Sequence, residues 1–408
     1  MNALDILKER GFLQQCSDEA GLKKLFSSSK VVYYIGFDPT AESLHIGSLL
    51  PIMAMASLQR AGHIPITLVG GGTALIGDPS WKAKERPLAD KKEIEKNSKE
   101  ILAQLKQHLS FGKGIFLNNA GWLLNLNYIE FLRDIGKYFR VNEMIKREGY
   151  RIRLERKEGL SFIEFNYQLL QAYDFLKLFE KYNCRLQMGG DDQWGNILAG
   201  VDLIRRVKGK QAFALTFPLI ETAQGQKMGK TEKGTIWLSS KRTPVYYFYQ
   251  YWINTDDRDV VRFLKLFTFL PMPKIKELAN LQGADIREAK EILAFEATKI
   301  THGEKEARAA QMAAKAAFVR KGGDLTSLPT TVIKKTRISA GIRIVDLLYE
   351  AGLVPSKSEA SRLIRQGGIY INDKKVSSGD MIIKENLFKD GSLLLRKGKK
   401  QYRRVIIE

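Results

Sequence analysis

Residues 31–69, "VVYYIGFDPTAESLHIGSLLPIMAMASLQRAGHIPITLV", decide how the chain folds. Val31 to Phe37 is β-branched and aromatic and reads as a buried strand. An apolar helical stretch from about Ile46 to Arg60 follows, with Pro51 in its first turns, where proline is tolerated. Ile64 to Val69, "IPITLV", is the next strand. A strand, a helix and a strand in so short a span form a βαβ unit, which requires parallel strands and a right-handed crossover.

The alternation continues outward. Lys91 to Leu109 has the pattern of an amphipathic charged helix, and "GIFLNN" that of a short strand. The stretches "NYIEFLRDIGKYFRVNEMI" and "SFIEFNYQLLQAYDFLKLFEKY" read as helices, "RLQMGG" as a strand, "DQWGNILAGVDLIRRV" as a helix and "AFALTFPLI" as a further strand. The expected fold is therefore α/β, with a doubly wound, Rossmann-like parallel sheet whose ligands bind at the carboxyl ends of the strands. From Thr243 to about Arg320 the pattern is helical throughout, and "KGGDLTSLPTTVIKKTRISAG" looks like a linker. The expected domains are 1–220 (the catalytic-type sheet), 221–320 (a lysine loop and an all-helical domain), 321–340 (the linker) and 341–408 (a small α+β unit).

Composition bounds the function. The chain has 408 residues, 66 of them Lys or Arg and 45 Asp or Glu, for a net charge of +21. Residues 320–408 hold 19 basic and 9 acidic side chains, so about half the surplus lies in the last fifth of the chain. That points to a polyanionic partner such as nucleic acid, although a basic surface alone also has this composition. The N-terminus lacks the pattern of a signal peptide and no apolar run is long enough to cross a bilayer, so a cytoplasmic protein with no membrane partner is expected. Cys16 and Cys184 lie outside any metal-ligand spacing, and no resident metal is expected.

Four stretches carry chemistry. Thr40, His45 and Gly47 fall in the first strand-to-helix turn, where backbone N–H groups favour phosphate and where Gly36 and Gly47 admit a nucleotide close to the backbone. In "GQKMGKTEKGT", Lys227 and Lys230 flank Met228 and Gly229, and two ammonium groups on such a loop suit the charge of a leaving pyrophosphate. Each also has a bland reading, as a structural histidine or a solvated turn, but the pair on one sheet is far more specific than either. Tyr167, Gln171 and Asp174 stand at i, i+4 and i+7 on a helix whose other side carries Phe162, Phe165, Leu169, Leu176 and Phe179. That stripe is either a polar ligand pocket or a solvated face. In "QMGGDDQWGN", Asp191 and Asp192 can grip ribose hydroxyls or cap the following helix.

Together these residues resemble the bacterial-type tyrosyl-tRNA synthetases, class I aminoacyl-tRNA synthetases, along the whole chain. "HIGS" (residues 45–48) stands for the family's HIGH signature and "KMGKT" (227–231) for KMSKS; Tyr34 before "GFDPT", "GDPSWK", "YQLLQAYDF" and "GGDDQWGN" resemble the tyrosine-specific pattern. "IRIVDLLYEAGLVPSKSEASRLIRQGGIYINDKKV" resembles an RNA-binding module shared with a ribosomal small-subunit protein.

The resemblance implies a tyrosine–tRNA ligase that uses L-tyrosine, ATP with Mg2+ and the tRNA for tyrosine. Tyr34 and Asp174 would bracket the phenolic hydroxyl, with Gln187 in the same pocket. Asp78, Tyr167 and Gln171 would hold the ammonium and Gln193 the carboxylate. Gly36, Asp38, Gly47, Ser48, Gly190, Asp192 and Lys230 would line the adenylate. Thr40, His45, Lys82, Arg86, Lys227 and Lys230 would surround the triphosphate. Arg362, Arg365, Lys374 and Lys375 would clamp tRNA. The aromatic helix around Phe131 to Met144 would form a homodimer interface, though by sequence it could equally be core. A tryptophan-specific relative and a non-catalytic RNA-binding descendant of the scaffold are the competing readings. Ser48 replaces the second signature histidine, and Ile35 stands where some relatives carry a side chain able to contact ribose.

Overall fold

The computed structural model describes residues 2–78, 90–146, 148–155, 161–231, 234–318, 328–389, 391–398 and 401–408. Strands β1 (Gln15–Cys16), β2 (Val32–Phe37), β3 (Ile64–Val69), β4 (Ile115–Asn118), β5 (Cys184–Gly190) and β6 (Phe213–Phe217) form one sheet in the order β1-β6-β5-β2-β3-β4. All neighbouring pairs are parallel except the edge pair β1 and β6. The chain winds from β2 to one edge and from β5 to the other, so the winding reverses between β2 and β5, where the strand ends open a crevice. β6 is buried at all five positions and β3 at all but its first, as expected where helices cover both faces of a parallel sheet.

The crossover from β2 to β3 begins as a 3-10 turn, Ile46–Ser48, and continues as the helix Leu49–Arg60. That helix is apolar nearly all round and correspondingly buried, with Leu49, Ile52, Met53, Ala56 and Leu58 among its core residues. The helix Phe162–Tyr182 starts at a capping box: the Ser161 hydroxyl accepts from Glu164 N (3.4 Å) and the Glu164 carboxylate accepts from Ser161 N (3.3 Å). It ends at Asn183, which takes the left-handed conformation with φ 51°.

The stretch expected as one aromatic helix is broken. Helix Tyr128–Asp134, a 3-10 turn at Gly136–Tyr138 and helix Val141–Met144 replace it. The helix stops ahead of Gly136, and Phe139 and Arg140 adopt extended backbone, which restarts the chain in a new direction. Phe162, expected on a packing face, is 67% exposed and occupies the first position of its helix.

The chain clusters into two compact units, residues 1–243 with 254–301 and residues 244–253 with 302–408. The helical stretch is divided between them. Helices Asp257–Phe267 and Met272–Ala279, and Ile286–His302 up to Thr301, go with the sheet; Val245–Ile253 and Glu304–Phe318 go with the C-terminal unit. In the second unit a five-stranded sheet runs in the order Lys374–Lys375, Ile369–Ile371, Ser392–Lys397, Gln401–Ile407, Thr330–Ile333. Its core includes Ile344, Leu347, Leu348, Ile364, Ile369, Leu393, Leu395 and Val405.

Part of the expected linker is thus structure: Thr330–Ile333 pairs in parallel with the last strand, Arg404 opposite Thr330 and Ile407 opposite Ile333. The β-branched run Thr-Thr-Val-Ile suits an edge strand, and the Gly- and Lys-rich residues around it obscure that signal. Among the described residues no helix is long and apolar enough to cross a membrane.

Candidate active site

A cleft of about 310 Å³ opens at the carboxyl ends of β2 and β5. β2 supplies Tyr34 and Gly36, the turn after it Asp38 and Thr40, and β5 supplies Gln187 and Gly190. Tyr34 and Gln187 are partners across the two strands, so both side chains point to the same side of the sheet. The helix Phe162–Tyr182 lays Tyr167, Gln171 and Asp174 along the cleft. The polar stripe read from the sequence faces inward.

Asp174 is buried and held from two directions. Its Oδ2 accepts from Asn119 Nδ2 (2.8 Å) and its Oδ1 from Trp122 Nε1 (2.7 Å). Burial lifts its pKa to about 7; the two donors oppose that rise, and the charge of Asp38 adds to it. The Tyr34 hydroxyl is buried beside this carboxylate with no hydrogen-bond partner among the described residues, and its pKa is raised by burial and then by Asp174. Gln171 Oε1 and Gln187 Oε1 are also buried and unpartnered there. Polar atoms in that condition cost about 1–3 kcal/mol each unless something polar meets them. A ligand with its own hydroxyl and charged groups would do so.

Nearer the mouth, Asp38 accepts from Thr73 Oγ1 (3.0 Å) and from the Tyr167 hydroxyl (3.0 Å). Asp78 accepts from Gln193 Nε2 (2.6 Å). Asp191 accepts from Gln15 Nε2 (2.7 Å) and Thr216 Oγ1 (2.8 Å), which makes it an anchor for the turn after β5. Asp192 lies beside Gly190 rather than on the cleft lining, its pKa raised chiefly by burial.

The two signature segments meet. His45 precedes the 3-10 turn, and its Nδ1 accepts from Gly47 N (3.0 Å). That N–H, expected to face a phosphate, is thus engaged by His45 itself. A Cβ at Gly47 would lie 2.8 Å from the His45 ring and 3.3 Å from Met228 O, so the glycine makes room for both segments. Gly229, with φ +87°, packs the same way: a Cβ there would lie 2.8 Å from Ile46 Cγ2. Lys227 is exposed, whereas Met228 and Gly229 are buried. Ser48 lines the cleft; His45, Gly47 and Lys227 flank it outside the lining. The side chain of Lys230, and Lys82 and Arg86 altogether, lie outside the described residues.

In the second unit Arg362, Arg365, Lys374 and Lys375 are all exposed. Asn372 and Asp373, both with positive φ, turn the hairpin that carries the two lysines, and Lys375 reaches over Gly367, just beyond the helix bearing the two arginines. The sequence reading missed Thr73, Asn119 and Trp122. Asn119 directly follows β4, where a ligand-proximal residue is expected from the fold; Trp122 carried no signal of its own.

Comparison with known proteins agrees with this geometry. Residues 27–319 match the family model for tRNA synthetases class I (W and Y). The chain belongs to that family. Residues 324–405 match the tyrosine–tRNA ligase SYY-like C-terminal domain. The chain is 53% identical over 410 residues to the tyrosine–tRNA ligase of Caldanaerobacter subterraneus subsp. tengcongensis, covering all of both chains. It is 51% identical to that of Clostridium botulinum strain Hall, again over the full length of both. Among solved structures, a C-terminally truncated mitochondrial tyrosyl-tRNA synthetase from Aspergillus nidulans superposes with TM-score 0.70 at 32% identity, over 76% of this chain and 92% of that one. As a class I synthetase, the chain has its cleft where the winding of the sheet reverses and its two signature segments side by side.

Proposed function

We infer that this synthetase is a tyrosine–tRNA ligase, which joins L-tyrosine to ATP as tyrosyl-adenylate and then transfers tyrosine to the 3'-terminal adenosine of its tRNA. The observation that carries the choice of amino acid is the buried Asp174 facing an unpartnered Tyr34 hydroxyl. A substrate phenol donates to the Asp174 carboxylate and accepts from the Tyr34 hydroxyl at once, whereas an indole N–H can only donate. Gln187 completes that end of the pocket, with Asp78, Tyr167 and Gln171 at the ammonium and Gln193 at the carboxylate. Family membership and full-length identity to tyrosine–tRNA ligases support the same reading.

In the first step a tyrosine carboxylate oxygen attacks the α-phosphorus of ATP. The bond from that phosphorus to the bridging oxygen breaks, and pyrophosphate leaves with the electron pair. The carboxylate is already a nucleophile, so the protein's task is alignment and neutralisation of developing charge. Gly36, where an added Cβ would meet nothing within 4 Å, leaves the backbone open to the nucleotide beside Asp38, Ser48, Gly190 and Asp192. Thr40, His45, Lys82, Arg86, Lys227 and Lys230 serve the phosphates, and Mg2+ enters with ATP as part of the substrate. In the second step the terminal ribose hydroxyl attacks the acyl carbon and AMP departs.

Transfer requires tRNA, and we assign its backbone to the exposed Arg362, Arg365, Lys374 and Lys375, with affinity falling steeply as salt rises. A homodimer fits the exposed apolar residues Tyr128, Ile129, Leu132, Val141 and Ile145, of which Ile129 is 70% exposed. We place the enzyme in the cytoplasm. Burst formation of tyrosyl-adenylate with release of one pyrophosphate per site tests the first step; a protein that binds tRNA but forms no adenylate would overturn the assignment.

A further inference from the structure

Helix Lys91–His108 touches the loop between β2 and its following helix at two points one stripe apart. Asn97 Nδ2 donates to Pro39 O (3.2 Å), and seven residues on, Gln104 Oε1 accepts from Leu44 N (3.1 Å). Gln104 Oε1 also lies 3.4 Å from the Ser43 hydroxyl. That hydroxyl accepts from Ser239 N (3.1 Å) and has its own proton in reach of Leu44 O (2.8 Å). The Leu44 backbone is therefore held on both sides, its N–H by Gln104 and its carbonyl by Leu238 N (2.8 Å).

The next bonds continue the same ladder. Ile46 N donates to Ile236 O (2.9 Å), His45 bridges Trp237, and Ile236 N donates to Gly229 O (3.1 Å). His45 and the Lys227–Lys230 loop thus hang from one short antiparallel ladder, and among the described residues the side-chain oxygen that meets its Leu44 N–H is that of Gln104. Gln104 does not line the cleft.

We propose that Gln104 is a positioning residue for the activation step: through Leu44 it holds His45 and the lysine loop in one frame around the departing pyrophosphate. The proposal rests on the ligase reading given above. It separates the ATP side from the tyrosine pocket, since no atom that faces the phenol belongs to the ladder. Losing this partly buried acceptor leaves the Leu44 N–H without its side-chain partner and lets the frame shift, which corresponds to about a tenfold loss in the chemical step.

The test uses the full-length enzyme with ATP, tyrosine and pyrophosphate. Gln104→Met keeps the length of the side chain and removes the amide oxygen; Gln104→Glu keeps an oxygen in place. The expected result is a kcat for pyrophosphate exchange about tenfold lower in Q104M, a tyrosine dissociation constant within about twofold of wild type, and recovery of kcat in Q104E. Retained tyrosine binding certifies the fold of the variant. If Q104M fails to fold, Gln104→Ala takes its place with the same expected split. An unchanged kcat, an equal loss of tyrosine binding, or no recovery in Q104E would overturn the proposal while leaving the ligase reading intact. A wild-type enzyme without exchange on any amino acid would instead overturn the ligase reading, and this proposal with it.

Discussion

Trp122→Phe is expected to move the pH dependence of tyrosine binding upward. In the free enzyme Asp174 has its pKa lifted to about 7 by burial, with the Trp122 and Asn119 N–H groups holding it from rising further. With both donors in place each carboxylate oxygen keeps a lone pair for the phenol, whereas a protonated Asp174 would crowd a third proton among donors. Tyrosine affinity should therefore rise with pH through about 7 and level off above it. The indole of Trp122 donates at 2.7 Å to a charged acceptor, a bond worth about 1.5–3 kcal/mol. At about 1.4 kcal/mol per pKa unit its loss raises the midpoint by roughly one to two units, weakening tyrosine binding at neutral pH by about 5- to 50-fold.

Stability has the opposite sign. A folded-state pKa above the unfolded value gives a contribution that is present at acid pH and lost as pH rises through about 7. The free protein is thus favoured on the acid side, and the thermal stabilisation by tyrosine should grow with pH. Equilibrium dialysis of labelled tyrosine between about pH 5.5 and 10 reads the midpoint in both proteins. A dissociation constant independent of pH, or a midpoint that falls in Trp122→Phe, would refute the reasoning.

Truncation after Phe318 should spare adenylate formation and abolish tRNA charging; equal loss of both would contradict the assigned division of labour. The cut lies ahead of Thr330–Ile333, which pairs with Gln401–Ile407 and would be left without its partner strand by a cut placed after it. Ser48→Ala should raise the KM for ATP by no more than about tenfold, the range of one hydrogen bond, and a loss of several orders of magnitude in tyrosine activation would show a larger role for Ser48. Ile129→Asp, at a position 70% exposed, should shift sedimentation from dimer to monomer at low concentration with little change in the melting temperature of the protomer; an unchanged dimer would place the interface elsewhere.

Much of this was legible in the sequence because the signals were local. The βαβ unit of residues 31–69 shows in residue type alone, and Tyr167, Gln171 and Asp174 share a face by helical period, which the fold then turns toward the cleft. Trp122 was not legible, and Asn119 only through its place directly after β4: both reach Asp174 from a different strand end, and no spacing within the chain links residues 52 and 55 positions apart. The break at Gly136 was hidden by an aromatic run with helical character. The role of Gly47 also changed. Its lack of a side chain is needed by His45 and Met228, a meeting of segments some 180 residues apart that only tertiary structure discloses.

The most direct test is ATP–pyrophosphate exchange with tyrosine, phenylalanine and tryptophan on the same enzyme. Tyrosine alone should support rapid exchange. Phenylalanine leaves the Tyr34 hydroxyl without a partner and forgoes the phenol's bond to the Asp174 carboxylate, at about 1–3 kcal/mol each, so its kcat/KM should fall by roughly 10²- to 10⁴-fold. Exchange driven equally well by tryptophan, or by phenylalanine, would contradict the account of the pocket.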